Sequence, residues 1–191
     1  KQFLQNIISE SDRLNRLIDK ILDLEKFETG KQKIYPAEGD ISKTIRKAID
    51  PLHQLLSNKT ITFKFDEVVP NVLVIYDEER IIQVVTNLLS NAIKFCDASN
   101  GVITIQVTAE ENFLHVAVFN NGKPVNPDEL ETIFDKFYQS QNQNVKKPIG
   151  SGLGLAISRQ IIEMHHGKIW ATNPESGGVI FTFTLPIAIT I

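Results

Sequence analysis

The sequence predicts an α+β fold in which helices and antiparallel strand pairs share one hydrophobic core. Three observations support this prediction. A helical pattern with apolar residues on one stripe runs from Asp77 to Phe95. Alternating apolar residues at 102–107 and 113–119 predict two strands, joined by the polar turn 110–112. A second helical pattern follows at 151–165 and ends near a glycine.

The composition fits a globular protein of one domain with an appendage. The 191 residues carry a net charge of −3, and 42% of them are hydrophobic. The basic residues form no long cluster, so we expect no nucleic-acid partner. No run of about 18 apolar residues occurs, so we expect no membrane segment in this chain. The single cysteine, Cys96, excludes an internal disulfide and fits a reducing compartment.

Residues 1–29 show the pattern of a long amphipathic helix. The apolar residues approximate the alternating spacing of a coiled-coil seam, and they are Phe3, Ile7, Leu14, Leu17, Ile21 and Leu24. Gly30 is placed to cap the helix C-terminus. The apolar stripe must be buried, either on the helix's own domain or in a bundle with other helices. We favour a bundle because the stripe continues beyond the predicted globular part.

The segment that follows contains a connector and several short elements. Residues 31–40 are predicted to be a connector with Pro36 and Gly39. A helical pattern at 41–57 is interrupted by Pro51, where an interior proline costs about 3 kcal/mol, so we expect a kink or a restart capped by Asp50. The other predicted elements are strands at 61–65, 72–76, 168–172 and 179–185, a short helix at 128–137 and a loop at 139–147.

The helix that starts after Asp77 carries a polar stripe opposite its apolar stripe. Asn87, Asn91 and Lys94 lie at i, i+4 and i+7, so they project from one face. A carboxamide oxygen suits Mg²⁺, and a lysine supplies a positive charge for phosphate. Taken alone, this stripe is better explained as the ordinary solvated face of a helix.

A glycine-rich segment before the last predicted helix provides a second signal. Gly150, Gly152 and Gly154 allow the backbone to pass close to phosphates, and the helix N-terminus offers free N–H groups to negative charge. Alternating glycines alone are weak evidence. No strand leads directly into this segment, so it is not the dinucleotide-binding fingerprint of a Rossmann fold.

Three ordered motifs resemble those of sensor histidine kinases. N-L-L-S-N-A-I-K-F at 87–95, I-F-D-K-F-Y at 133–138 and G-S-G-L-G-L-A at 150–156 are similar to the asparagine, phenylalanine and second glycine boxes of that family. The resemblance covers nearly the whole chain. It implies an ATP-binding catalytic domain at 31–191, built as a two-layer α/β sandwich with a mixed sheet packed on three helices. It also implies that residues 1–30 are the last helix of a dimerisation domain.

The resemblance implies a site for ATP and Mg²⁺ between the helical layer and a mobile loop at 139–149. Asn91 would bridge Mg²⁺ to the phosphates, and Asn87 and Lys94 would be catalytic residues that contact phosphate or the metal shell. Phe95 would pack against the purine, although a core position explains it equally well. The other implied nucleotide contacts are Asn120, Gly122, Val125, Gly150, Gly152, Leu153 and Gly154.

The first glycine box departs from the family pattern. Where the family has D-x-G-x-G, this chain has N-N-G-K-P at 120–124. Asn120 can accept the adenine amino group only as a neutral group, at a loss of about 1 kcal/mol. Pro124 replaces a flexible glycine, and Gln139 replaces an arginine that would contact phosphate. These changes predict weaker nucleotide binding and leave open a weakened pseudokinase that serves as a scaffold.

The resemblance also implies the reaction and the partners. None of the four histidines lies in a phosphoacceptor motif, so the accepting histidine would belong to a dimerisation helix outside this chain. Asn87 stands where ATP-hydrolysing relatives have a glutamate, which favours phosphoryl transfer over hydrolysis. The implied partners are a second copy bound through the N-terminal helix, the phosphoacceptor helix and the receiver domain of a response regulator. We expect a cytoplasmic piece of a longer receptor, which could itself be anchored in a membrane.

Overall fold

The computed structural model describes residues 2–53, 56, 61–66, 72–139 and 151–188, and gives only the backbone at 2, 3, 5, 6, 9, 12, 13, 16 and 28. The helices are α1 (Gln2–Glu28), α2 (Ile41–Ile49), α3 (Glu78–Phe95) and α4 (Gly154–Met164). The strands are β1 (Ala37–Gly39), β2 (Ile61–Phe65), β3 (Val74–Tyr76), β4 (Gly101–Glu110), β5 (Phe113–Asn120), β6 (Ile169–Thr172) and β7 (Val179–Pro186).

Five of the strands form one mixed sheet in the order β2-β4-β5-β7-β6. β2 runs parallel to β4, and the other neighbours are antiparallel. Buried and less buried residues alternate along β4 and β5, as expected when one face of a sheet packs against helices. Helices α2, α3 and α4 lie side by side, with α3 in the middle. The predicted α+β sandwich, with a mixed sheet packed on helices, is confirmed.

Helix α3 lies at the centre of the hydrophobic core. Asp77 caps its start by accepting a hydrogen bond from the Arg80 N–H at 3.2 Å, as predicted. Its apolar stripe is buried, and the buried residues are Ile81, Val84, Val85, Leu88, Leu89, Ala92 and Ile93. Each large aliphatic side chain buried in this way contributes about 1.5–3 kcal/mol to stability. This burial fixes the rotation of the helix and therefore the direction of its polar stripe.

Among the described side chains of α1, those that dock on the rest of the fold lie in its C-terminal part. Leu24 and Phe27 are buried in the common core, whereas Ile7 and Leu14 are exposed. The helix ends as predicted at Gly30, whose φ of 63° is left-handed. The N–H of the following residue donates to the Lys26 carbonyl at 3.0 Å, which completes a helix-terminating motif. The boundary at residue 30 between two domains stays a prediction.

Two of the predicted elements were wrong. The segment 31–40, predicted as a connector, contains β1, which pairs antiparallel with β3. The helix predicted at 128–137 is instead two 3-10 turns, Pro127–Glu129 and Thr132–Phe134. It cannot continue, because Asp135 is extended and Phe137 has a left-handed φ of 61°.

The predicted interruption of the helix near Pro51 is confirmed. α2 ends at Ile49, and a 3-10 turn spans Asp50–Leu52. The physical cause is that Pro51 has no N–H and crowds the carbonyl four residues earlier. The restart begins at Asp50, one residue before the predicted position. The end of the predicted helix lies partly outside the described residues, as do most of the predicted loop 139–147 and the implied lid.

Asp77 also ties the start of α3 to two distant segments. Its Oδ2 accepts from the backbone N–H of Tyr35 at 2.9 Å. Its own N–H donates to His165 Nε2 at 2.9 Å, while His165 Nδ1 lies 2.7 Å from the Ile161 carbonyl. A neutral imidazole with its proton on Nδ1 satisfies both contacts of His165. Burial lowers the pKa of His165, because the charged ring would lose its hydration.

The chain should therefore lose stability in mild acid. The unfolded imidazole takes up a proton near pH 6.5, whereas folding lowers its pKa. The unfolded state then binds more protons, so the free energy of unfolding falls as the pH drops below 6.5. Urea unfolding between about pH 7 and pH 5 should show this loss in the wild type and a shallower one in His165→Gln. As a control, His53→Gln removes an exposed imidazole and should lose as much stability between about pH 7 and pH 5 as the wild type. If His165→Gln also loses as much stability as the wild type, buried His165 is not the cause of the loss.

Candidate functional site

A cavity of about 280 Å³ lies between the polar stripe of α3, the segment that enters α4 and one residue of α1. Its described lining consists of Lys20, Asn87, Ser90, Asn91, Lys94, Phe95, Val125, Ile133, Tyr138, Gln139, Ser151, Gly152, Gly154, Leu155 and Phe181. This set includes two lysines and no carboxylate. The described wall is therefore electropositive and rich in neutral hydrogen-bonding groups, which suits a polyanion.

The polar stripe of α3 and the glycine segment are in direct contact. Asn87 Nδ2 donates to the Gly154 carbonyl at 3.3 Å and lies 3.4 Å from Ser158 Oγ. Asn91 and Lys94 follow on the same stripe, and all three residues of the stripe line the cavity. Two segments more than 60 residues apart in the chain thus converge as the sequence analysis required.

Each described glycine of this segment has a distinct structural reason. Gly152 has a left-handed φ of 68°, and a Cβ there would lie 2.7 Å from the Phe137 backbone. The Phe137 N–H donates to the Gly152 carbonyl at 3.0 Å. Gly154 opens α4 after Leu153, whose side chain cannot cap the helix. The N–H groups of the first turn are thus left without a side-chain cap and are available to an anion.

Lys94 and Phe95 form the end of the cavity at the C-terminus of α3. The Lys94 Nζ lies 4.3 Å from the centroid of the Phe95 ring, a cation–π distance. Burial lowers the pKa of Lys94, because the ammonium is partly desolvated, and the described wall supplies no carboxylate to compensate. An anion entering the cavity would offset that cost.

Asn120 and Gly122 lie behind the Phe95 end of the cavity and do not line it. Asn120 is the last residue of β5 and is 1% exposed. Its Nδ2 is buried and has no hydrogen-bond partner among the described residues. A Cβ on Gly122 would lie 1.8 Å from the Phe95 carbonyl oxygen and 2.9 Å from Asn120 Nδ2. Only glycine fits at position 122, and the unpaired Asn120 Nδ2 donor lies beside it within the first glycine box.

Two further predicted contact residues differ in their surroundings. Val125 lines the cavity, and Asn173 holds its backbone by accepting from the Val125 N–H at 3.1 Å and donating to its carbonyl at 2.6 Å. Leu153 is fully buried in the core, so only its backbone could meet a ligand. Gly150 lies outside the described residues.

Several residues of this site were not predicted from the sequence, and Ser158, Asn173 and Lys20 are the most informative of them. Ser158 donates to the Gly154 carbonyl at 2.9 Å and supports Asn87. Its position four residues after Gly154 was a readable signal for a contact on the same helical face. Asn173 and Lys20 could be found only from tertiary structure, because one is about 50 residues from Val125 and the other lies on a separate helix.

Comparison with known proteins identifies the family of this chain. A sequence profile described as histidine kinase-, DNA gyrase B- and HSP90-like ATPase matches residues 76–189. The chain belongs to this ATPase family. The match contains α3, the first glycine box and the second glycine box.

Within this ATPase family, relatives of the chain include sensor histidine kinases. The sensor histidine kinase WalK of Bacillus subtilis (strain 168) is 31% identical over 97% of this chain, and the sensor protein kinase WalK of Staphylococcus aureus (strain MRSA252) is 32% identical over 97%. This chain spans 30% of the length of each of these relatives. The predicted resemblance to sensor histidine kinases is confirmed.

Solved structures of this family have the same fold. The nucleotide-free catalytic domain of histidine kinase ThkA is 33% identical, with a TM-score of 0.70 over 80% of this chain and 98% of that one. Histidine kinase ThkA in complex with response regulator protein TrrA is 31% identical, with a TM-score of 0.77 over 98% of this chain and 51% of that one. The chain is thus a catalytic domain of the sensor histidine kinase type. No helix among its described residues is long and apolar enough to cross a bilayer.

Proposed function

We propose that this chain binds ATP with Mg²⁺ in the α3–α4 cavity and presents the γ-phosphoryl group to a histidine outside the chain. One observation carries the proposal. The polar stripe of α3 and the uncapped N-terminus of α4 meet around a cavity whose described wall holds two lysines and no carboxylate. Such a wall favours a phosphate chain over a neutral or cationic ligand.

The residues present fit a magnesium ion that arrives with the nucleotide. No group of three His, Cys, Asp or Glu side chains that could hold a metal occurs among the described residues. Mg²⁺ commonly takes one or two protein oxygens and completes its shell with water and substrate phosphates. Asn91, half-buried in the cavity wall, would supply such an oxygen. The bound ion would neutralise phosphate charge, while Lys94 and the α4 N–H groups hold the oxygens.

The nucleobase would lie toward the end of the cavity formed by Phe95 and Val125. The Asn120 Oδ1 could accept the adenine amino group, while its Nδ2, buried beside Gly122 with no partner among the described residues, could donate to a ring nitrogen of adenine. The Phe95 ring lines the cavity and could pack against the purine. Its half-buried position serves the core at the same time.

The polar groups of the site favour transfer to a protein over hydrolysis. Asn87 is a carboxamide, so it cannot remove a proton from water near neutral pH. Its Nδ2 is already engaged with Gly154 and Ser158. Asn87 is therefore a positioning group that holds the glycine segment against α3. The acceptor is not His165, because both of its ring nitrogens are engaged inside the fold.

The partners follow from the same proposal. The exposed apolar residues of α1 would pack against a second copy in a helical bundle that also contains the phosphoacceptor helix. Among the described side chains they are Leu4, Ile7, Ile8, Leu14, Ile18, Ile21 and Leu22. The receiver domain of a response regulator would take the phosphoryl group onward, in the cytoplasm. The similarity to ThkA, solved in complex with TrrA, supports this partner.

A second candidate is a weakened pseudokinase that acts as a scaffold. It is favoured by the neutral Asn120 and by Pro124, both of which lower the expected affinity for adenine. Under this alternative the thermal midpoint would not respond to millimolar ATP–Mg²⁺. A rise in the midpoint would argue for the kinase, because ligand binding to the native state alone stabilises it.

Asn91→Ala should weaken ATP–Mg²⁺ binding about tenfold or more, since it removes the only proposed side-chain metal ligand. Isothermal titration calorimetry on the 191-residue chain measures this directly. Gln83→Ala is the matched control, because it removes a carboxamide of the same helix that bonds to Arg80 and does not line the cavity. Absence of wild-type binding at millimolar nucleotide, or equal loss in both variants, would refute the proposed site.

Asn120→Asp should tighten ATP–Mg²⁺ binding about fivefold, because a charged acceptor gains about 1 kcal/mol over a neutral one. The control is Asn112→Asp, which adds the same charge at the exposed β4–β5 turn. Unchanged or weaker binding by Asn120→Asp would show that the carboxamide is an adequate base contact, or that Asn120 does not touch the base.

A further inference from the structure

Helix α1 contributes a positive charge to the cavity of the catalytic domain. Lys20 is half-buried and lines the same wall as Asn87, Asn91 and Lys94. We propose that Lys20 contacts the phosphate chain of the bound nucleotide, so that α1 completes the ATP site. This proposal deepens the proposed function and rests on it.

The docking of α1 places Lys20 at this position. Leu24 and Phe27 are buried in the common core, and Leu17 packs against it. These residues and Lys20 share one stripe of the helix, at spacings of three and four. The docked part of α1 contacts α4, whose start carries the second glycine box. The Arg80 guanidinium lies 5.5 Å from the centroid of the Phe27 ring, which adds a polar contact to α3.

The charge of Lys20 has no counter-charge in the described structure. No carboxylate among the described residues forms an ion pair with it, whereas Lys26 of the same helix lies 3.9 Å from Asp23. The described cavity wall offers no carboxylate either. Lys20 and Lys94 thus place two like charges around one partly enclosed space. An anion between them would pair with both ammonium groups and give Lys20 a partner that the described residues do not supply.

A binding site completed by a docked helix couples docking to binding. If docked Lys20 increases the affinity for ATP–Mg²⁺ by some factor, bound ATP–Mg²⁺ must stabilise the docked α1 by the same factor. The nucleotide state of the catalytic domain would then be sensed by a helix that leads to the predicted dimerisation domain. Release of α1 would lower nucleotide affinity without any change in α3 or the glycine segment.

The test compares four versions of the chain by calorimetric titration with ATP–Mg²⁺: wild type, Lys20→Ala, Lys20→Arg and Lys26→Ala. Lys20→Ala should weaken binding about three- to tenfold, the range expected for one partly screened charge contact. Its affinity should also depend less steeply on KCl concentration than that of the wild type. Lys20→Arg should retain most of the affinity, and Lys26→Ala should bind within about twofold of the wild type.

Hydrogen exchange provides an independent readout of the coupling. ATP–Mg²⁺ should slow exchange of the amides at 17–27 in the wild type, and much less so in Lys20→Ala. Equal affinity losses in Lys20→Ala and Lys26→Ala, or an unchanged salt dependence in Lys20→Ala, would overturn the proposal while leaving the ATP site intact. A folded wild type that binds no ATP–Mg²⁺ would overturn the site itself, and the role of Lys20 with it.

Discussion

The site depends on the burial of one face of α3. Seven apolar side chains of this helix are buried, and Asp77 fixes where it starts. Once that face is against the core, the residues at 87, 91 and 94 can point only toward α4 and the cavity. Hydrophobic packing, which carries no information about a ligand, thereby sets the direction of the α3 side chains proposed to meet the phosphates and the metal. Asn87 then joins this helix to the second glycine box through the Gly154 carbonyl.

Most of the fold was predicted from patterns among residues that lie close together in the sequence. The strong period of α3, the alternation in β4 and β5, the Gly30 cap and the interruption at Pro51 all have causes within a few neighbouring residues. The errors have causes farther away. β1 forms only because β3 offers an edge, with Gly39 packed on the Tyr76 ring. The segment 128–137 has helical composition, but tertiary contacts hold Phe137 in a left-handed conformation.

The same distinction applies to the site. Asn87, Asn91, Lys94, Gly152 and Gly154 could be predicted because two local motifs each concentrate several groups. The residues that support or complete them could not, since Asn173 acts on Val125 across 48 positions and Lys20 depends on how α1 docks. The electrostatic character of the cavity is likewise a property of the assembled wall. This wall is the reason why we propose that the chain binds nucleotide although Asn120 and Pro124 depart from the family pattern.

In the proposed site, α3 and the second glycine box bind one and the same phosphate chain. Titration of the isotopically labelled chain with ATP–Mg²⁺, followed by NMR, tests this most directly. If one phosphate chain spans both segments, the side-chain amides of Asn87 and Asn91 and the backbone amides of Gly152 and Gly154 should shift together and saturate with a single dissociation constant. Shifts confined to one of the two segments, or two different dissociation constants, would contradict it.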